Sequence, residues 1–73
     1  MKPKIAVVMA EIMRLGWLVG VYADPPGCKA GSLAIAVFRG TMEEPETHSV
    51  IVWPGDDEQL RAALQSLLHE IGL

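Results

Sequence analysis

The stretch from His48 to Gly72, HSVIVWPGDDEQLRAALQSLLHEIG, changes period in its middle, and that change decides the fold. From His48 to Trp53 the side chains alternate between the two faces of a strand. Pro54 and Gly55 close it, because a proline cannot donate to a ladder. Asp56 or Asp57 can then serve as N-cap, with Gln59 three residues after Asp56 as a capping-box partner. Leu60, Leu64, Leu67, Leu68 and Ile71 follow at helical spacing, with Ala63 at the edge of the stripe. Arg61, Gln65 and His69 fall on the far side. Acids at the start and His69 near the end suit the helix dipole, and Gly72 stops the run.

Working back from this strand–helix junction, Gly40 to Thr47 reads as an acidic loop carrying Glu43, Glu44 and Glu46. Ser32 to Arg39 is a second strand and Trp17 to Ala23 a first. The loop Asp24–Gly31 between them contains consecutive prolines, so pairing must stop there. Ahead of these strands, Pro3 fits the first turn of a helix. Ile5, Val8, Ile12 and Leu15 share one face of it, Met9 and Met13 broaden that face, and Gly16 supplies the stop. Arg14 and Glu11 lie opposite, but so do Val7 and Ala10, so this helix is apolar around more than half its girth. The sequence therefore predicts one α+β domain over residues 1–73. It is a two-layer α-β-β-β-α arrangement, with a three-stranded antiparallel sheet and both helices on one face.

Length limits what such a domain can hide. A chain of 73 residues buries only about 60% of its unfolded surface. Yet 51% of its residues are hydrophobic, so some must stay exposed or be covered by a partner. Net charge is −3 and the pI about 5.1. The six cations, Lys2, Lys4, Arg14, Lys29, Arg39 and Arg61, form no stripe, which disfavours nucleic acid as a partner. Cys28 stands alone and cannot form an intrachain disulfide. The N-terminal segment resembles a signal peptide, with a cleavage-like Val21-Tyr22-Ala23. Glu11 and Arg14 interrupt its apolar run, however, so the expected location is the cytoplasm, with no membrane span.

Strand alternation yields two sets of residues. One holds Trp17, Val19, Val21, Leu33, Ile35, Val37, Val50 and Val52, bulky residues suited to a helix-covered core. The other holds Leu18, Gly20, Tyr22, Ala34, Ala36, Phe38, Ser49, Ile51 and Trp53, with almost no charge. Both sets are apolar, so a reversal of the faces would simply expose the first set instead. The second set predicts a docking surface, with Tyr22, Ala34, Ala36, Phe38, Ile51 and Trp53 as contact residues for a partner protein or a second copy. Glu43, Glu44 and Glu46 would steer it toward a basic surface, or else form a solvated loop.

Candidate chemistry is sparse. His69 lies on the solvated side of its helix. His48 opens a strand beside Glu46, and the adjacent Ser49 points to the other face. Cys28, next to Lys29, has no assigned base. No Cys or His pair shows metal-ligand spacing, and the glycines form no phosphate loop. The expectation is a protein with no catalytic residues, no metal and no cofactor.

Several short motifs carry a resemblance. Leu15-Gly16-Trp17 closes the first helix and Gly31-Ser32 precedes strand two. Val50-Ile51-Val52-Trp53-Pro54-Gly55 follows, and the last helix ends Ile71-Gly72-Leu73. In this order they resemble the double-stranded-RNA-binding fold, and within it the HicA toxins of bacterial toxin–antitoxin pairs, which are small mRNA-cleaving proteins. The family's catalytic histidine follows the Gly-Ser pair, where this chain has Leu33. The chain is also acidic where the family is basic, and its Pro-Pro-Gly loop looks inserted. The resemblance thus implies a shared scaffold without the cleavage chemistry. Two functions follow from the sequence. The first is a non-enzymatic inhibitor or regulator, dimeric, of the kind that bacteriophages and mobile elements carry. The second is a HicA-like ribonuclease or RNA binder, with His48 or another group replacing the missing histidine.

Overall fold

The computed structural model describes residues 3–72. Leu73, quoted in the resemblance, lies outside the described residues, as do Met1 and Lys2. The order is α1 (Ile5–Arg14), β1 (Leu18–Ala23), β2 (Leu33–Gly40), β3 (Pro45–Val52) and α2 (Asp57–Ile71). The strands form one antiparallel sheet in the order β1-β2-β3. Helix α1 packs over β1 and against α2, which covers β2 and β3. This is the expected α-β-β-β-α arrangement. None of the described helices is long and apolar enough to cross a membrane.

The helices cover the face that carries the bulkier residues. Val8 and Ile12 of α1, Ile35 and Val37 of β2, and Ala63, Leu64 and Leu67 of α2 form the buried core together with Trp17. Each such aliphatic side chain is worth about 1.5–3 kcal/mol when fully buried, so this small cluster supplies most of the drive to fold. Helix α2 starts at Asp56, whose side chain accepts a hydrogen bond from the Gln59 N–H at 2.9 Å. Of the two possible caps, Asp56 takes the role and Asp57 becomes the first helical residue.

The structure corrects several boundaries. Pro3 sits outside the helix, ahead of Lys4, whose extended backbone makes it the N-cap. Leu15 is not a core residue: it is the C-cap and stays 49% exposed. Gly16, at φ +91°, then swings the chain round so that Trp17 fills that space instead, 2% exposed, ahead of the strand proper. Val21 belongs to the covered face but is 40% exposed, because β1 is an edge strand.

The largest correction concerns the acidic loop. Strand β3 begins at Pro45, with Gly40 opposite Pro45 and Arg39 opposite Glu46. The connection shrinks to residues 41–44, where the Thr41 hydroxyl accepts from the Glu44 N–H at 3.1 Å. Gly40 permits so tight a turn: its φ is +99°, and a Cβ there would collide with the Glu44 carbonyl. Glu46 and Thr47 are therefore strand residues. Arg61 also departs from expectation. Its side chain is only 11% exposed and donates to Glu58 and, at 2.8 Å, to Gln65.

Candidate functional site

The face of the sheet turned away from the helices is open. Its cross-strand rows are Leu18–Phe38–Thr47, Gly20–Ala36–Ser49 and Tyr22–Ala34–Ile51, none of which contains a charged residue. Leu18, Tyr22 and Ile51 are each more than half exposed. The middle row is made of the smallest residues, and although Tyr22 lies back over Gly20, the face is dished at Ala36 and Ser49. Toward the β2–β3 turn this dish deepens into a trough of about 440 Å³ lined by Leu18, Tyr22, Ala36, Phe38, Met42 and Thr47 among others, with Arg39 the one charged residue that borders it. Met42, at the trough's rim, is completely exposed.

Of the six expected contact residues, the trough gathers Tyr22, Ala36 and Phe38. Ala34 and Ile51 lie on the same face beyond it, on the row shared with Tyr22. Trp53 is set apart, past the end of β3. Its indole N–H donates to the Ala30 carbonyl at 3.2 Å, and the Lys29 ammonium sits 3.6 Å from its ring centroid. Trp53 thus fastens the β1–β2 loop, with a cation–π contact assisting. Sequence alternation missed Met42, because a residue in a turn belongs to neither face. The expected steering acids separate too. Glu43 and Glu44 are exposed in the turn that also gives Thr41 and Met42 to the trough. Glu46 lies on the opposite side of the sheet.

There Glu46 joins a polar cluster at the border of the core. It accepts from Arg39 Nε at 3.0 Å and lies 3.3 Å from His48 Nε2, while Glu70 Oε1 lies 2.7 Å from His48 Nδ1. Trp17 underlies both the His48 and the Arg39 side chains. Its ring meets His48 edge-on with centroids 5.5 Å apart, and the Arg39 guanidinium stacks over it at 4.3 Å. His48 is accordingly not a solvated strand-end residue but a mid-strand one, on the helix-covered side. Extending the alternation of Val52 and Val50 backward would have placed His48 and Glu46 there; Glu70, 22 residues further on, left no such signal.

The two carboxylates raise the pKa of His48, Glu70 more than Glu46. The carboxyl of Glu46 is held below its ordinary value, first by Arg39 and then by His48. A charged imidazole donates both N–H groups here, whereas a neutral one would turn a lone pair toward a carboxylate. Both ring nitrogens are engaged, Nδ1 by Glu70 and Nε2 by Glu46.

The remaining candidates stay apart. Cys28 is a partly buried residue of the β1–β2 loop, and His69 is exposed on α2. Among the described residues, no three His, Cys, Asp or Glu side chains converge so as to hold a metal ion. Compared with known protein families, with curated proteins and with solved structures, the chain matches none of them.

Proposed function

We propose that this chain is a non-enzymatic interaction module that docks another protein on the open face of its sheet, and so acts as an inhibitor or regulator by occupancy. The observation that carries this reading is the uncharged apolar face itself. It runs across all three strands and ends in a trough beside the fully exposed Met42. Large apolar patches on small domains mark places that another surface covers. The absence of charge in all three rows says what the partner presents: an apolar, uncharged surface, since a buried unpaired charge would be costly. Small residues along the centre let it approach closely, and Phe38 and Tyr22 supply anchor area.

The surroundings of the polar residues support occupancy rather than catalysis. His48 is held between two carboxylates, and Leu33, where HicA toxins have their histidine, packs against the hydrophobic core.

A photoreactive side chain placed at Ser49, on the open face, and in a separate protein at Ser66, on the outer side of α2, tests this in extracts of the native host. The expected result is one discrete cross-linked protein from position 49, lost when Phe38→Asp is added, and none from position 66. Equal cross-linking at both positions, unaffected by Phe38→Asp, would overturn the reading.

A further inference from the structure

We propose that the free edge of β1 is a homodimer seam, where the β1 strands of two copies pair antiparallel about a two-fold axis at Val21 and join two three-stranded sheets into one of six. The inference goes beyond docking on the open face, which the seam leaves uncovered and makes continuous between the copies.

The direction of the backbone groups carries it. The Asp24 N–H donates to the Ser32 carbonyl at 3.0 Å, which continues the β1–β2 register from Ala23 opposite Leu33. Hydrogen-bonding residues alternate along an antiparallel strand. Leu18, Gly20 and Tyr22 thus turn their backbone groups toward β2, while Val19, Val21 and Ala23 turn theirs away from the sheet. A row of outward N–H and C=O groups is satisfied in full only by water or by another extended backbone.

The two edges of the sheet are not equally protected. β3 starts with Pro45 and carries Glu46 and His48 on its inward side, both of which discourage pairing. β1, Leu-Val-Gly-Val-Tyr-Ala, has no charge, no proline and an unbroken register. Its apolar side chains are also poorly covered: Leu18 is 59%, Tyr22 56% and Val21 40% exposed.

The occupant is a second copy because the strand is complementary to itself. About an axis at Val21, that residue meets its own equivalent, and Val19 meets Ala23 of the second copy. Each of these pairs exchanges two backbone hydrogen bonds. On the covered side, valine thus packs on valine. On the open side, Tyr22 stands opposite Gly20 of the second copy, which that copy's own Tyr22 covers, so the two phenol rings lie beside each other over the axis. Tyr22 already lies back over its own Gly20, where a Cβ would come within 2.8 Å of the phenol oxygen. So short a seam belongs to the weak end of stable interfaces, and the expected Kd is on the order of 10 μM.

Val21→Pro is the informative variant. The Val21 N–H points away from β2, so proline removes no bond from the existing ladder but blocks the second copy. Sedimentation between about 1 and 200 μM should show wild-type mass rising from 7.9 kDa toward twice that value. Val21→Pro should stay at 7.9 kDa with an unchanged circular dichroism spectrum. Val21→Lys provides the same test if proline disturbs the fold. In the wild type, amide exchange at Val19, Val21 and Ala23 should slow as concentration rises. A wild type that stays monomeric, dimers that survive both substitutions, or fast exchange at those amides at every concentration would overturn the seam. Phe38→Asp separates the two proposals: it should abolish cross-linking from Ser49 while leaving the mass of the dimer unchanged. If instead Phe38→Asp dissociates the copies and Val21→Pro does not, the seam is wrong and the open-face reading stands.

Discussion

Ile35 and Ile51 sit on opposite faces of the same sheet, on neighbouring strands, and their surroundings differ in almost every respect. Ile35, in the centre of β2, is fully buried beneath the helices; Ile51, on β3, is 54% exposed. One face is closed by α1 and α2 through Val8, Ile12, Leu64 and Leu67. The other ends at small side chains and a trough. A sheet in a two-layer domain needs only one apolar face to fold, so the apolar character of the second is not explained by folding.

The same substitution should have unequal costs on the two faces. Ile35→Ala should cost about 2–5 kcal/mol, because it removes fully buried atoms and leaves a cavity in a thin core. In a domain whose whole stability is of order 5 kcal/mol, that brings the protein to the edge of unfolding at 25 °C. Ile51→Ala should cost at most about 1 kcal/mol, the span of strand propensity. Urea unfolding at low micromolar concentration measures both. Equal losses would mean that the open face is packed as tightly as the core and is not a docking surface.

Much of this contrast was legible in the sequence. The strand–helix switch at Pro54-Gly55 and the Leu stripe of α2 follow from period alone, whereas bulk favours Ile35 and Val37 as core residues but leaves the two faces of the sheet interchangeable. What was illegible has physical causes. The hairpin register hangs on Gly40, whose left-handed backbone shortens the turn and draws Glu46 into β3. Composition marks 43–46 as acidic but cannot show that the chain turns back so early. Trp53 looked like an anchor on the open face because it continues the alternation past Val52. The Ala30 carbonyl and Lys29, distant in sequence, pull its ring onto the β1–β2 loop. The pairing of His48 with Glu70 spans the whole of α2 and is decided by where that helix ends.

A smaller effect is expected from the helix side. If α2 closes the covered face, loosening its first turn should weaken that face and leave the open one unchanged. Asp56→Ala removes the acceptor for the Gln59 N–H and should cost about 1 kcal/mol. Amide exchange should report the loss in α2. Cross-linking from Ser49 should be the same as in the wild type, since no residue of the trough lies on α2. A stability equal to wild type would show that the cap contributes nothing, and that α2 is held by its Leu stripe alone.

The smallest expected effect concerns the border between the two regions, where His48, Glu46 and Glu70 ring the edge of the core. His48 is raised from its ordinary 6.5. Its contribution to stability is thus fully present below pH 6.5 and fades as pH climbs through the folded-state value. Glu46 is lowered from its ordinary 4.5, so its contribution is present above pH 4.5 and fades as pH falls through the depressed value. Both act together between those limits, and stability should crest there. Glu70→Gln removes the larger cause of the His48 shift. It should bring the imidazole titration, followed by NMR, down toward 6.5 and flatten the loss of stability on the alkaline side. These groups are substantially exposed, so salt should diminish the difference. An identical His48 titration in both proteins would show that the carboxylate of Glu70 does not hold the ring, and that Trp17 and Glu46 position it without help from α2.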